Sequence, residues 1–304
     1  RPARAGSAGR IPVVLDTDIG TDIDDTWALA LLLALPELDL KLVVTDHGNT
    51  EARARVAAKF LQVSGRADVP VGIGKRTKAS PVPQSEWTQG YDLRSYPGGV
   101  HEDGVGALID MIMKSRETIT LIVLGPAPNI REALAREPRI VKKARVFAMS
   151  GSVDVGYDGS AKPAAEYNVK EDPAATRAMY GAGWEVTIAP LDTAGTIRLV
   201  DERYKRILAC RKPSVRALIE NYRIWAGRVN WTKVNPEEMS SVLFDTLAVA
   251  LVQRPSYCAM ETVGLEVTDD GFTRRKDGGS RVRAALRWKD LDGYEEWLTA
   301  RLTQ

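Results

Sequence analysis

Cysteine is scarce in this 304-residue chain: Cys210 and Cys258 are the only two, far apart and without metal-type spacing. A disulfide framework is thereby excluded. Histidine is as scarce, with only His47 and His101. No apolar run reaches the ~18 residues of a membrane span; the run over 27–35 is far too short. Neither sign of charge dominates, since 42 Lys+Arg against 40 Asp+Glu leave +2. That balance argues against a nucleic-acid binder, which usually carries a basic excess on one face. Internal repeats, heptads and low-complexity linkers are absent as well. What remains is ordinary globular composition in a chain long enough to bury a large core without covalent staples. The first ten residues, RPARAGSAGR, are small, polar and basic, and predict a disordered tail. They permit a cleaved export signal without demonstrating one, so the compartment reads as cytoplasmic or exported.

Short apolar runs at 11–16, 38–45, 69–73, 118–124, 144–149 and 185–189 predict buried strands. Helical patterns at 25–35, 51–64, 106–114, 130–136 and 173–180 alternate with them. Such alternation implies an α/β fold with an open, mostly parallel sheet and helices on both faces, Rossmann-like in kind. The pattern then turns helical over 201–228 and 245–253, reading as a cap or insertion near residues 200–245. A late strand pair at 260–267 and 281–288 follows, and a helix at 293–302 closes the chain. Residues 11–304 are read as one domain. The stretch 74–103 is rich in Ser, Pro and Gly and long for a loop, which usually marks function. Trp87 and Tyr91 within it are placed to act as a lid.

One further absence is local. No Lys or Arg occurs between Arg10 and Lys41, yet Asp16, Asp18, Asp22, Asp24 and Asp25 fall there within ten residues. Crowded carboxylates repel, and some stay protonated unless a cation neutralises them. Hard oxygen ligands at this density suit Ca²⁺ or Mg²⁺. The segment follows the first strand and opens the first helix, at the sheet edge where open α/β folds bind ligands. A blander reading makes these residues turn and N-cap residues. An EF-hand loop is excluded, because its sixth and twelfth positions, counted from Asp16, are Thr21 and Trp27. A phosphatase of the haloacid-dehalogenase type would use Asp16 as nucleophile and Asp18 as acid.

DTDIGTDIDDTWAL, from Asp16 onward, resembles the N-terminal signature of the nucleoside hydrolases, the inosine–uridine-preferring type among them. Other segments agree in order. His47-Gly48-Asn49 resembles the family's Gly-Asn after the second strand, and His101-Glu-Asp-Gly104 its His-Gly loop. Residues 124–129 (LGPAPN) resemble its Gly-Pro-Leu-Thr-Asn turn. Pro163-Ala-Ala-Glu166-Tyr167-Asn168 resembles its Glu-Phe-Asn block, and Phe244-Asp245 with the following LAVA its last helix start. The resemblance covers roughly residues 11–290.

It implies a ribonucleoside N-glycosidase with one Ca²⁺ per chain. The implied ligands are Asp18, Asp25, the Pro128 carbonyl and Asp245. The ion would also chelate two ribose hydroxyls and one water, whose lowered pKa lets Asp24 act as base. Asn49, Glu166 and Asn168 would hold ribose hydroxyls, with Tyr167 beside them. Asp16 would stand behind the ligands. A homodimer or homotetramer is implied, with neither nucleic acid nor membrane as partner. Three departures qualify the match. Two extra residues lengthen the signature; the register is set by the Asp24-Asp25 pair before the helix, with Asp22 as the fallback base. Phe244 stands where the family has a histidine thought to protonate the leaving base, and a phenyl ring donates no proton. Ser160 replaces the usual Asn that contacts the 5′-hydroxyl. His101 is then a candidate acid, and Trp225, sharing a helix face with Tyr222, a candidate base-stacking residue. Phe244 also keeps open a non-catalytic, calcium-dependent sugar-binding protein.

Overall fold

Consecutive residues of the predicted strands are buried alike, and only a sheet covered on both faces buries both sets of side chains. The computed structural model describes residues 9–304. Its strands are β1 (Ile11–Thr17), β2 (Leu38–Thr45), β3 (Val71–Ile73), β4 (Val100–His101), β5 (Ile119–Val123), β6 (Ala144–Met149), β7 (Val186–Ala189), β8 (Cys258–Val267), β9 (Thr273–Arg275) and β10 (Ser280–Trp288). They form one sheet in the order β4-β3-β2-β1-β5-β6-β7-β10-β8-β9. Pairing is parallel from β4 through β7 and on to β10, and antiparallel at β8 and β9.

Val13, Leu15, Val43 and Ile122 face one cluster with the helices α1 (Asp24–Ala34) and α2 (Thr50–Val63). Val14, Leu42, Val44 and Leu121 face the other, with α3 (Gly104–Lys114) and α4 (Pro128–Arg136). The chain continues through α5 (Tyr167–Glu171), α6 (Pro173–Gly181), α7 (Leu191–Ala194), α8 (Asp201–Ala209), α9 (Pro213–Ala226), α10 (Thr246–Leu251) and α11 (Leu291–Thr303). Among the described residues no helix is long and apolar enough to cross a membrane.

Several expectations are corrected. Of the tail expected over residues 1–10, residues 1–8 lie outside the described residues. Arg10 is anchored, donating to the carbonyls of Pro36 (2.6 Å) and Leu38 (3.1 Å). The late strand pair is a three-stranded antiparallel unit that joins the main sheet through β10 and β7. The helical stretch 201–228 breaks between α8 and α9, because Pro213 suits a first helical turn and no interior. Residues 74–103 are not an open lid: they form 3₁₀ turns at Pro83–Thr88 and Leu93–Ser95 and the edge strand β4. Trp87 is buried, its indole N–H donating to Glu220 of α9 (3.1 Å) with Lys59 of α2 over its ring. Tyr91 donates to Gln62 of α2 (2.7 Å). Both aromatics fasten the segment down.

Candidate active site

Parallel strands deliver their last residues to one edge. Here that edge receives Asp18 after β1, Asp46 after β2, residues 124–128 after β5, Ser150 after β6 and Asp192 after β7. Asp24, Asp25 and Asp245 meet there, all buried, each offering an oxygen within 4.8 Å of the others. The helix-cap reading fails for these residues. The N-cap of α1 is Ile23, without a side-chain cap bond, and Asp245 at the N-cap of α10 makes none either. Burial raises the carboxyls of Asp24, Asp25 and Asp245 well above the usual range, and the surrounding carboxylates raise them further. Such an all-oxygen, like-charged donor set is what a hard divalent cation neutralises. Asp18 lies outside the trio at that spacing, but its charge acts on all three members. Asp22 is pushed up to about 6 by burial and accepts from the Ile23 N–H (2.6 Å). Thr17 donates its hydroxyl to Asp25.

The positive charge that the local sequence lacks arrives from α2. Arg53 is fully buried. Its Nε donates to the His47 carbonyl (2.7 Å), Nη1 to the carbonyls of Asp18 and Ile19, and Nη2 to Ser80 Oγ (3.4 Å). One guanidinium thus ties the loop after β1 to the loop after β2 and opposes the burial of Asp18, Asp25 and Asp46. Gly20 completes the loop. Its φ of 113° and a Cβ position 2.7 Å from Val82 Cγ1 leave no room for a side chain.

A second buried layer supports the Pro128 turn. The carboxyls of Asp16 and Asp46 are both fully buried, and burial raises both. Asp16 accepts from Asn129 Nδ2 (2.8 Å), and Asp46 from the Ala127 N–H (3.0 Å). Ala127 is held at φ 65°, a left-handed conformation that costs a non-glycine residue about 1 kcal/mol or more. Asp16, wholly buried in this network, is not an accessible nucleophile, and the phosphatase reading falls.

Glu166 is buried, accepts from the N–H groups of Gly151, Asn168 and Val169, and is pushed up to about 7 by burial. Asn168 Nδ2 donates to the carbonyls of Leu124 (2.6 Å) and Met149 (3.1 Å), joining the ends of β5 and β6. Only its Oδ1 remains for a ligand. Tyr167 is partly exposed and lies 3.4 Å, oxygen to nitrogen, from His47 Nε2. Asn49 caps α2 through Ala52 N–H (3.2 Å) and is exposed. Ser160 is exposed in the loop after β6, accepting from the Lys162 N–H.

Two expectations do not survive. Trp225 is fully buried, its indole N–H donating to the Thr21 carbonyl (2.9 Å), so it braces the Asp loop and offers no face to a base. His101 is exposed on the edge strand β4, three strands from β1, which spacing of about 4.8 Å per strand places roughly 14 Å away. A cleft of about 630 Å³ at the opposite edge, among Arg10, Glu117, Arg145 and Trp184, holds none of these carboxylates.

Residues 13–292 match the family described as inosine-uridine preferring nucleoside hydrolase. The chain belongs to the nucleoside hydrolase family. It is 27% identical over 306 residues to the non-specific ribonucleoside hydrolase RihC of Klebsiella pneumoniae subsp. pneumoniae, covering 95% of this chain and 97% of that one. Among solved structures, the plant nucleoside hydrolase PpNRh1 superposes with a TM-score of 0.80 at 21% identity, over 96% of this chain and 99% of that one. The inosine-uridine preferring nucleoside hydrolase of Bacillus anthracis does so at 0.75 and 20%, over 96% and 99%. This nucleoside hydrolase is accordingly a hydrolase acting on N-glycosyl bonds of ribonucleosides, in a metal-dependent family, with a buried Asp trio able to hold a metal.

Sequence reasoning missed Asp46 and Arg53. A strand-end carboxylate just before His47-Gly48-Asn49 was the available signal for Asp46. Arg53 sits among inward-facing residues of α2, between Ala52, Ala54 and Val56.

Proposed function

We propose that this nucleoside hydrolase uses Ca²⁺ in the acidic pocket and Asp24 as the base in cleaving the ribose–base bond. The buried trio of Asp24, Asp25 and Asp245 carries this reading. Asp18, Asp25, Asp245 and the Pro128 carbonyl would hold the ion; when bound it would neutralise these carboxylates and polarise water and the ribose diol. Asp24, kept ionised by that neutralisation, takes a proton from the attacking water. Glu166 and Asn168, fixed between the ends of β5 and β6, orient ribose hydroxyls, with Asn49, Tyr167 and Ser160 around them. Burial of the acidic cluster excludes competing water and strengthens each of these contacts.

Reducing-sugar release from a panel of purine and pyrimidine nucleosides tests the activity. Asp24→Asn is expected to lower kcat by roughly 10²–10⁴-fold, the usual worth of a general base, while calorimetric Ca²⁺ binding persists. Asp25→Asn and Asp245→Asn are expected to weaken Ca²⁺ binding itself. Loss of Ca²⁺ binding in Asp24→Asn but not in Asp18→Asn would show the two roles exchanged. Calcium-dependent ribose binding without any sugar release would replace the hydrolase by a sugar-binding protein.

A further inference from the structure

We propose that Tyr157 is the proton donor to the departing nucleobase, taking over the task that Phe244 cannot perform. The inference rests on the hydrolase reading above. Phe244 is half-buried and meets the Tyr157 ring edge to face, centroids 6.2 Å apart and planes at 83°. A phenol therefore stands beside the ring that replaces the family's histidine. Its oxygen accepts from the Tyr167 N–H (2.9 Å), an arrangement that uses a lone pair and leaves the O–H proton to give. Phe244 directly precedes Asp245 of the acidic trio, so the phenol stands beside that pocket; burial, and then the charges of Glu166, Asp22 and Asp24, keep its proton on. The residue is still 38% exposed, so a ligand can approach it.

The loop bearing Tyr157 is fixed. Asp192 accepts from three successive N–H groups, those of Val153 (2.9 Å), Asp154 (2.7 Å) and Val155 (3.2 Å). Ser152 bridges the Val155 carbonyl and the Ala164 N–H. Gly156 and Ser160 close the turn around Tyr157 through backbone bonds (2.9 and 3.0 Å), and Arg275 grips Asp154 from β9. The two histidines serve less well. His101 lies on the far edge strand. His47 is buried with its Nδ1 against Thr77 Oγ1 (3.0 Å), and burial holds it near 4, neutral at physiological pH.

In the step, the C1′–N bond breaks and its electron pair passes to the base nitrogen. The Tyr157 O–H proton moves to the base, on that nitrogen or a conjugated one. Water bonds to C1′ and gives its proton to Asp24. The proton gained by Asp24 and the proton lost by Tyr157 are exchanged through solvent, so the products are ribose and neutral base.

Tyr157→Phe, which keeps the ring and its contact with Phe244, is the test. It is expected to lower kcat for inosine by roughly 10²–10⁴-fold, the span of general-acid assistance. Hydrolysis of nitrophenyl riboside, whose leaving group departs without a proton, should persist. The solvent isotope effect on inosine turnover should fall in the variant, and adding Phe244→His to it should restore inosine cleavage. Equal losses on both substrates, or no loss on either, would overturn the assignment. Failure of the native chain on both substrates would instead bring down the hydrolase reading, a result visible before any variant is made.

Discussion

Chelation of the divalent ion is expected to abolish nucleoside hydrolysis and to make the fold less stable, not more, as pH rises from about 4 to about 7. Asp16 and Asp22 are raised by burial from 3.8 to about 6, and Glu166 from 4.5 to about 7. The unfolded chain releases those protons near the ordinary carboxyl values. Between the two the native state binds more protons than the unfolded one, so stability falls with pH across that window. For Asp16 alone, a rise from 3.8 to about 6 corresponds to roughly 3 kcal/mol. A cation reverses the slope, because it binds the ionised carboxylates of the native state and stabilises by mass action. Melting temperatures across the window, with chelator and with CaCl₂, give the comparison. Stability that climbs with pH in chelator would contradict the assignment of these carboxyls as buried and protonated.

Arg53→Met should cost about 3–5 kcal/mol, the range for leaving buried charge without its partner. The carbonyls of Asp18, Ile19 and His47 lose their donor in the variant, and Asp18, Asp25 and Asp46 lose the cation facing them. Lysine reaches fewer of these oxygens, since it lacks the planar fork, and should recover only part of the loss. Urea denaturation of the two variants with saturating Ca²⁺ measures the effect. A change below about 1 kcal/mol, within the range of an exposed ion pair, would mean that Arg53 is not the organising charge.

The strands were legible where apolar runs were long enough to show a pattern. β2 and β6 fall at the predicted residues 38–45 and 144–149. β4 and β9 escaped because two or three residues carry no periodicity, and β9 is placed only by its pairing with β8. The Asp cluster was legible because five carboxylates without a local counter-charge is a chemical anomaly visible in one dimension. Its solution was not: Arg53 belongs to the next helix, and an arginine on an amphipathic helix looks the same in sequence whether it faces water or the core. Trp225 was misplaced for a related reason. The i, i+3 spacing with Tyr222 gives a helix face but not whether that face meets a ligand or the Thr21 loop. Tyr157 was invisible since its placement depends on Asp192, which reaches back from beyond β7 to hold the loop.

The acidic trio also constrains the order in which this molecule takes shape. Asp24 and Asp25 lie in the first helix, whereas Asp245 sits at the N-cap of α10, just ahead of the strands that complete the sheet. Contacts this distant along the chain form late and slow the search for the native state. On the ribosome, the first two carboxylates emerge well before the third. A cation that needs Asp245 together with the early carboxylates Asp18 and Asp25 is expected to bind after the rate-limiting step, so that its stabilisation lies on the native side of the barrier. Calcium should then leave the refolding rate nearly untouched and slow unfolding, acting as a latch on a finished protein rather than a seed for folding.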